Sequence, residues 1–403
     1  MVFFCKTKVY RLIWTALLLT PAAGAVETDK SSTLQPPAPL TTAGPAEVVA
    51  SLPDTEAAGV AVTPEGRVFL TLPRVGANHR DASLVEIVNG KPVPFPDVMT
   101  TVDPQMLLRG RGPGSAERPY SDWIVSPLGL TRVGHTLWVL DEGKRAGIEG
   151  IPDGAAKLIA IDIPSRKVIK TIVFHHPFLR DTMQLNDLRV DPSHGEQGTV
   201  FISNNGFAKP DSSIIVVDIA TGHMREVFHN APQVSPAPGF MSYVEGQPCA
   251  YSLEHPCMPQ GGVNGIELSN DHQTLYWSIP TNPEYYSIPT AALSNQDRSE
   301  SSLRKAIRPE GQTVSNGGMA IDADGNLYFG DASRYAILGK SPQGTFSLVA
   351  HDGRLIWPDG LVVQNGWLYV SIGQWQRVPG LHQGHDLRHG PYQVLRFKLG
   401  AGH

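Results

Sequence analysis

The chain has 403 residues, 33 basic and 38 acidic side chains, a formal charge of −5 and a 41% hydrophobic content. No stretch after the first residues is apolar enough to span a membrane, and no basic stripe marks a nucleic-acid binder. What is left is a globular protein too long for one simple core, so two domains or a repeat architecture are expected.

Residues 1–25, MVFFCKTKVYRLIWTALLLTPAAGA, start basic at Lys6, Lys8 and Arg11 and continue with a short apolar core from Leu12 to Leu19. They end in Ala23-Gly24-Ala25, the layout of a secretory signal peptide with cleavage after Ala25. A membrane-anchored N-terminus is the alternative, but the apolar core is shorter than the ~20 residues of a span. The mature chain is therefore read as soluble and either secreted or periplasmic. Losing three basic residues and no acidic ones moves the formal charge to −8, since 33 − 3 = 30 basic residues face 38 acidic ones. Residues 26–45 are polar, rich in Pro and Thr and aperiodic, which predicts a flexible lead-in.

From there one pattern recurs six times: a small or polar residue, an alternating strand, a turn, then an apolar-aromatic-apolar strand. The copies begin at Ala58, Leu128, Asn186, Asn264, Gly317 and Asp359. In each, Gly or Asn/Asp turn chemistry separates two short runs, a hairpin signal. A third strand follows in every copy, as in AKLIAIDI (156–163) and SSIIVVDI (212–219). Candidate fourth strands stand at 167–174, 223–229 and 346–351. Six in-phase units with almost no helical periodicity predict an all-β protein, a six-bladed β-propeller with four-stranded blades occupying residues 46–403. The last unit stops after its third strand, so EVVASL (47–52) is expected to supply its outer strand and close the ring.

In a propeller the first strand of each blade lines the central channel. Aligning the copies brings Ala58, Leu128, Asn186, Asn264, Gly317 and Asp359 to one mouth. The ends of the antiparallel second strands add Asp141, Asn204, Asn205, Ser278, Asp331 and Ser371 to the same rim. Polar groups converging between apolar blades suit a small-molecule pocket, and a water-filled polar channel is the alternative. The residues singled out for ligand contact are Asn186, Asp187, Asn264, Asp359, Asn204 and Trp357. In an exported chain, Cys249 and Cys257, which flank AYSLEHP, are expected to form a local disulfide; two free surface thiols are the other outcome.

LWVLDEGK (137–144), MQLNDLRVD (183–191), GTVFISNNG (198–206), GIELSNDHQTLYWSIPTNPEYYSIPTAALSN (265–295) and WPDGLVV (357–363) resemble, in this order, the Yellow/major royal jelly protein family. The resemblance runs from about Trp123 to Ser371 and is most specific between Gly265 and Asn295. It implies a secreted six-bladed propeller with a central ligand site. Members include proteins linked to dopachrome conversion, salivary binders of biogenic amines and nutritional proteins, so no single reaction follows.

A more distant resemblance is to propeller lactonases of the gluconolactonase type, which hold a divalent cation, usually calcium, in the channel mouth. Asn264-Gly265 matches their NG element and Asn186-Asp187 their ND element. Asp359-Gly360 supplies a DG one blade later than that pattern, while the first-blade acid is replaced by Ala58, with Glu56 two residues away. The resemblance implies that Asp187, Asn264 and Asp359 could hold calcium.

Other features carry less. His175-His176 reads as a solvent-facing pair, no G-x-S-x-G elbow supports a serine hydrolase, and GRGPGSAERP (110–119) lacks the ending of a phosphate loop. The sequence thus predicts a small-molecule site, either a binder or dopachrome-type isomerase, or a calcium-dependent lactonase. A non-catalytic scaffold using Pro-rich loops such as 231–260 is a third class. No catalytic residue is assigned.

Overall fold

A computed structural model describes residues 40–107, 118–206 and 209–400. The signal-peptide reading, most of the 26–45 lead-in and most of the 110–119 loop lie outside them.

Six four-stranded antiparallel sheets form six blades, and in the first five the strands run outward in sequence order. The inner strands are Val60–Val62, Pro127–Val133, Leu185–Asp191, Ile266–Leu268, Asn316–Ile321 and Trp357–Gln364. The protein is a six-bladed β-propeller. The sixth blade takes its outer strand from Glu47–Leu52, which pairs with Tyr392–Lys398 from Glu47↔Arg396 to Leu52↔Tyr392. Second and third strands are β-branched and aromatic, as in Thr199–Asn204 and Ser213–Asp218. They are buried on both faces because a neighbouring blade covers each side.

Two outer strands were not legible. Blade one is completed by Lys91–Pro94 and blade four by Arg308–Gln312. Both are mostly exposed, and each carries proline, which an edge strand tolerates because its outward N–H has no partner to lose. Blade four reaches its outer strand through helices Thr290–Ser294 and Glu300–Ala306. The second starts on Ser299, whose hydroxyl accepts from the Ser302 amide.

The insertion between blades three and four folds as a hairpin, Met241–Val244 with Gln247–Ala250, stapled by the Cys249–Cys257 disulfide. Buried Cys249 packs with Met258 and Ala332 against Trp357 at the head of blade six.

Ring closure has a measurable consequence. Residues 42–44 already bond the backbone of blades five and six, and Ala50 and Leu52 are buried, so the first described residues belong to the fold. A chain starting at Leu40 is expected to match the parent in urea unfolding. One starting at Pro53 should unfold earlier, because it bares the edge of Tyr392–Lys398 and uncovers its apolar partners. Equal midpoints for the two truncations would rule out closure by Glu47–Leu52.

Candidate functional site

At the channel mouth the inner strands break register with their neighbours in the same place in four blades. The shifts lie between Pro127 and Leu130, Leu185 and Asp187, Asn316 and Met319, and Pro358 and Leu361. Each bulge frees one or two residues from the ladder and turns them inward. They are Leu128-Gly129, Asn186, Gly317-Gly318 and Asp359-Gly360.

The second residue of the repeated pair is Gly in five blades because adjacent inner strands almost touch there. A Cβ on Gly360 would meet the Ala58 carbonyl, and one on Gly318 would overlap the Asp359 carbonyl. Blade three is the exception and carries Asp187.

Ala58, Leu128, Asn186, Asp187, Arg189, Gly317 and Asp359 line one cavity, which encloses about 30 Å³. Asn264 joins them indirectly, its side-chain oxygen accepting from Asn186 Nδ2 at 2.8 Å. Asn204 does not reach the cavity. It is fully buried, its oxygen accepting from the Gln184 and Gly206 amides and its nitrogen donating to the Asp211 carbonyl and Ser213. Asp141, Ser278, Asp331 and Ser371 are likewise fully buried one layer outward. There Asp141 accepts from the Val125 and Ser126 amides and pairs with Lys157 at 3.0 Å. Trp357 is buried behind Asp359 and does not line the cavity.

The centre of the channel holds a residue that the motif alignment passed over. Arg189 donates from Nε and Nη2 to the two oxygens of Glu267 at 2.9 and 3.1 Å, and from Nη1 to Asp187 at 2.9 Å. Nη1 also bonds the Leu188 carbonyl and Nη2 that of Met319. Burial works against the guanidinium charge, but Asp187 and Glu267 outweigh it and hold its pKa above the ordinary value. The same burial raises both carboxyls, with Arg189 acting against it. Bidentate geometry decides the matter: the guanidinium keeps its proton, and two acids share one base. The signal was present in LNDLRVD, where Arg189 stands two residues from Asp187 and so projects to the same side.

Asp359 has no basic partner among the described residues. Trp375 Nε1 donates to its Oδ2 at 2.9 Å. Burial first, then the charges of Asp187 and Glu56, push its pKa up to about 7 against the opposing Trp375 and Trp357 N–H groups. Trp375 belongs to a segment, 374–391, that reaches the mouth through this bond. Arg388 from that segment pairs with buried Glu56 at 2.8 Å and bonds the Gly76 carbonyl. Glu56 is therefore neutralised and does not act as a free first-blade acid. A second unusual carboxyl, Glu142 of the DEGK segment, is fully buried beside Gln184 and Lys144. Burial pushes its pKa up to about 8, against the charge of Lys144.

The three residues grouped as a calcium set are each engaged otherwise: Asp187 by Arg189, Asn264 by Asn186, and Asp359 by Trp375. One further acidic cluster, Asp211, Glu226 and His229, could in principle gather around a metal ion. Arg180 already bridges both of its carboxylates at 2.6 and 2.7 Å. No helix among the described residues is long and apolar enough to cross a membrane.

The sequence model of the family described as "Major royal jelly protein" matches residues 133–378. The chain belongs to this family. That span takes in Arg189, Glu267, Asp359 and Trp375 of this royal jelly family protein, whereas Ala58 and Leu128 of the mouth precede it. No curated protein matches the chain.

Among solved structures it is similar to a gluconolactonase from Xanthomonas campestris, at 13% identity and TM-score 0.48, over 88% of this chain and 89% of that one. It is also similar to the calcium-binding protein regucalcin from Agrobacterium tumefaciens, at 14% identity and TM-score 0.48, over 88% and 94%. A luciferin-regenerating enzyme gives 13% identity and TM-score 0.49, over 89% and 97%. Likeness at this level carries nothing about chemistry.

Proposed function

We propose that this protein is an exported binder of a small amine, whose ammonium group is received by Asp359 at the channel mouth. One observation carries the reading: Asp359 is the acid lining the cavity that has no base of its own. A buried carboxyl without a counter-charge stays half protonated near neutrality, and a ligand cation would supply the missing charge and favour its ionised form. The enclosed volume suits a head group of one or two water-sized atoms, with the ligand body outside it toward residues 374–391. Asn186 and Asn264 supply neutral polar contacts beside it. The reading agrees with the amine binding that the family resemblance implies, and a disulfide fits an oxidising compartment.

A second reading rests on the pKa of about 7. A carboxyl poised there can take a proton from one ligand atom and return it to another, as isomerisation of a dopachrome-like compound requires. Calcium-assisted lactone hydrolysis fits these residues poorly. The guanidinium of Arg189 is already the cation between Asp187 and Glu267, and a divalent ion beside it would meet its repulsion with one free carboxyl at most.

Thermal-shift titration with tyramine and with calcium chloride tests the proposal. Tyramine should raise the melting temperature of the parent, and Asp359→Asn should lose that shift, since a ligand stabilises the state that binds it by about 2.7 kcal/mol at one hundred times Kd. Calcium should leave both proteins unmoved. An equal tyramine shift in Asp359→Asn, or none in the parent, would overturn amine recognition by Asp359. A calcium shift abolished by Asp187→Asn would restore the metal reading.

A further inference from the structure

Arg189 does more than neutralise two acids. Together with Val60, Leu130 and Leu361 it lines both the mouth cavity and a second, larger one of about 160 Å³ further along the channel, so its ion pairs stand where the two meet. All six inner strands contribute to the far chamber. Blades one and two give Val60 to Val62 and Leu130 to Arg132, blades three and four give Arg189 and Glu267, and blades five and six give Ala320, Ile321 and Leu361 to Gln364. Consecutive residues line it because blades stand edge-on to the axis, which turns the unpaired backbone groups of the inner strands toward the space.

The charges facing this chamber are Arg189, Glu267 and Arg132. The first two are paired bidentately with each other. Arg132 has no carboxylate partner among the described residues. Its guanidinium donates to the Val62 carbonyl at 3.1 Å, the Gly134 carbonyl at 2.7 Å and Gln364 Oε1 at 3.4 Å. A guanidinium carries five N–H donors, so about two remain without a protein acceptor. Burial lowers its pKa, and exposed Glu65 is the acid acting in the other direction. Arg132 stands four residues beyond Leu128, about 13 Å from the mouth at the rise of a β-strand.

A cavity roughly ten times the volume that admits one water, walled by backbone edges and holding an arginine with spare donors, is built for a small hydrophilic anion. We propose that the far chamber is a second binding site, for a short hydroxycarboxylate whose carboxylate is held by Arg132 and whose hydroxyl meets Gln364, Thr131 or the strand edges. The site is independent of Asp359 and does not rest on the amine reading.

Isothermal titration of the full protein with L-lactate tests it, with propionate and chloride as control ligands. Saturable lactate binding is expected, weakened at least ~tenfold in Arg132→Gln, the loss of one charge-assisted interaction. Arg132→Lys keeps the charge and the fold but not the fork, and should fall between them, while Asp359→Asn should bind as the parent does. Propionate and chloride should bind more weakly than lactate. Absence of saturable lactate binding, or undiminished binding by a folded Arg132→Gln or Arg132→Lys variant, would overturn the site. Chloride or propionate binding as tightly as lactate would overturn the hydroxycarboxylate assignment.

Discussion

Replacing Arg189 by methionine is expected to lower unfolding free energy at pH 8 by about 3–5 kcal/mol, the usual consequence of stranding buried acids without their base. Methionine keeps much of the volume, so the loss reports charge more than cavity. Asp187 and Glu267 are both raised by burial already, and without the guanidinium they rise further. A carboxyl whose folded pKa exceeds its unfolded one contributes stability at low pH that disappears as pH rises through the folded value. The deficit of Arg189→Met should therefore be small near pH 5 and largest at pH 8. Adding Glu267→Gln removes one stranded charge and should recover part of it. Urea unfolding of the three proteins at both pH values decides; a single variant as stable as the parent at pH 8 would show that the pairing adds nothing.

The second large effect runs the opposite way. Asp359→Asn should be more stable than the parent above pH 7, by up to about 4 kcal/mol for a carboxyl moved some three pKa units. Asparagine can still accept from Trp375 Nε1 and no longer has to ionise in a closed site. Asp359 has its pKa near 7 when folded and near the ordinary 3.8 when unfolded. Its contribution is complete below the lower value, shrinks between them and is gone above the higher one. The stability difference between variant and parent should thus grow between pH 4 and 7 and level off beyond. A difference that is flat across that range would show that Asp359 titrates normally and would remove the basis for its proposed role.

The blade count and ring closure were legible because six phase-matched copies constrain each other. A strand that ends without an outer partner must find one, and EVVASL was the unclaimed candidate. The mouth residues were legible for the same reason, since aligned copies put Asn186 and Asp359 at equivalent positions. Alignment along one strand says little about depth, however. Asn204 and Asp141 reach the same end as Asn186 but sit one layer outward, where backbone amides consume them. Arg189 was missed because the pattern that finds bulge residues stops before it. The partners that define Asp359 and Glu56, Trp375 and Arg388, come from a non-repeating stretch of chain, and no periodicity can point to them.

The stretch from Gln374 to Pro391 joins two features that were described apart. Near one end Trp375 holds Asp359, near the other Arg388 holds Glu56, and directly after it begins Tyr392–Lys398, the strand on which the N-terminal segment zips the ring shut. The hold on the site and the clasp of the ring are thus one continuous length of chain, anchored at both ends to parts of the protein far apart in sequence. If the proposed amine binds at Asp359, its occupancy is coupled through this stretch to the seam of the ring.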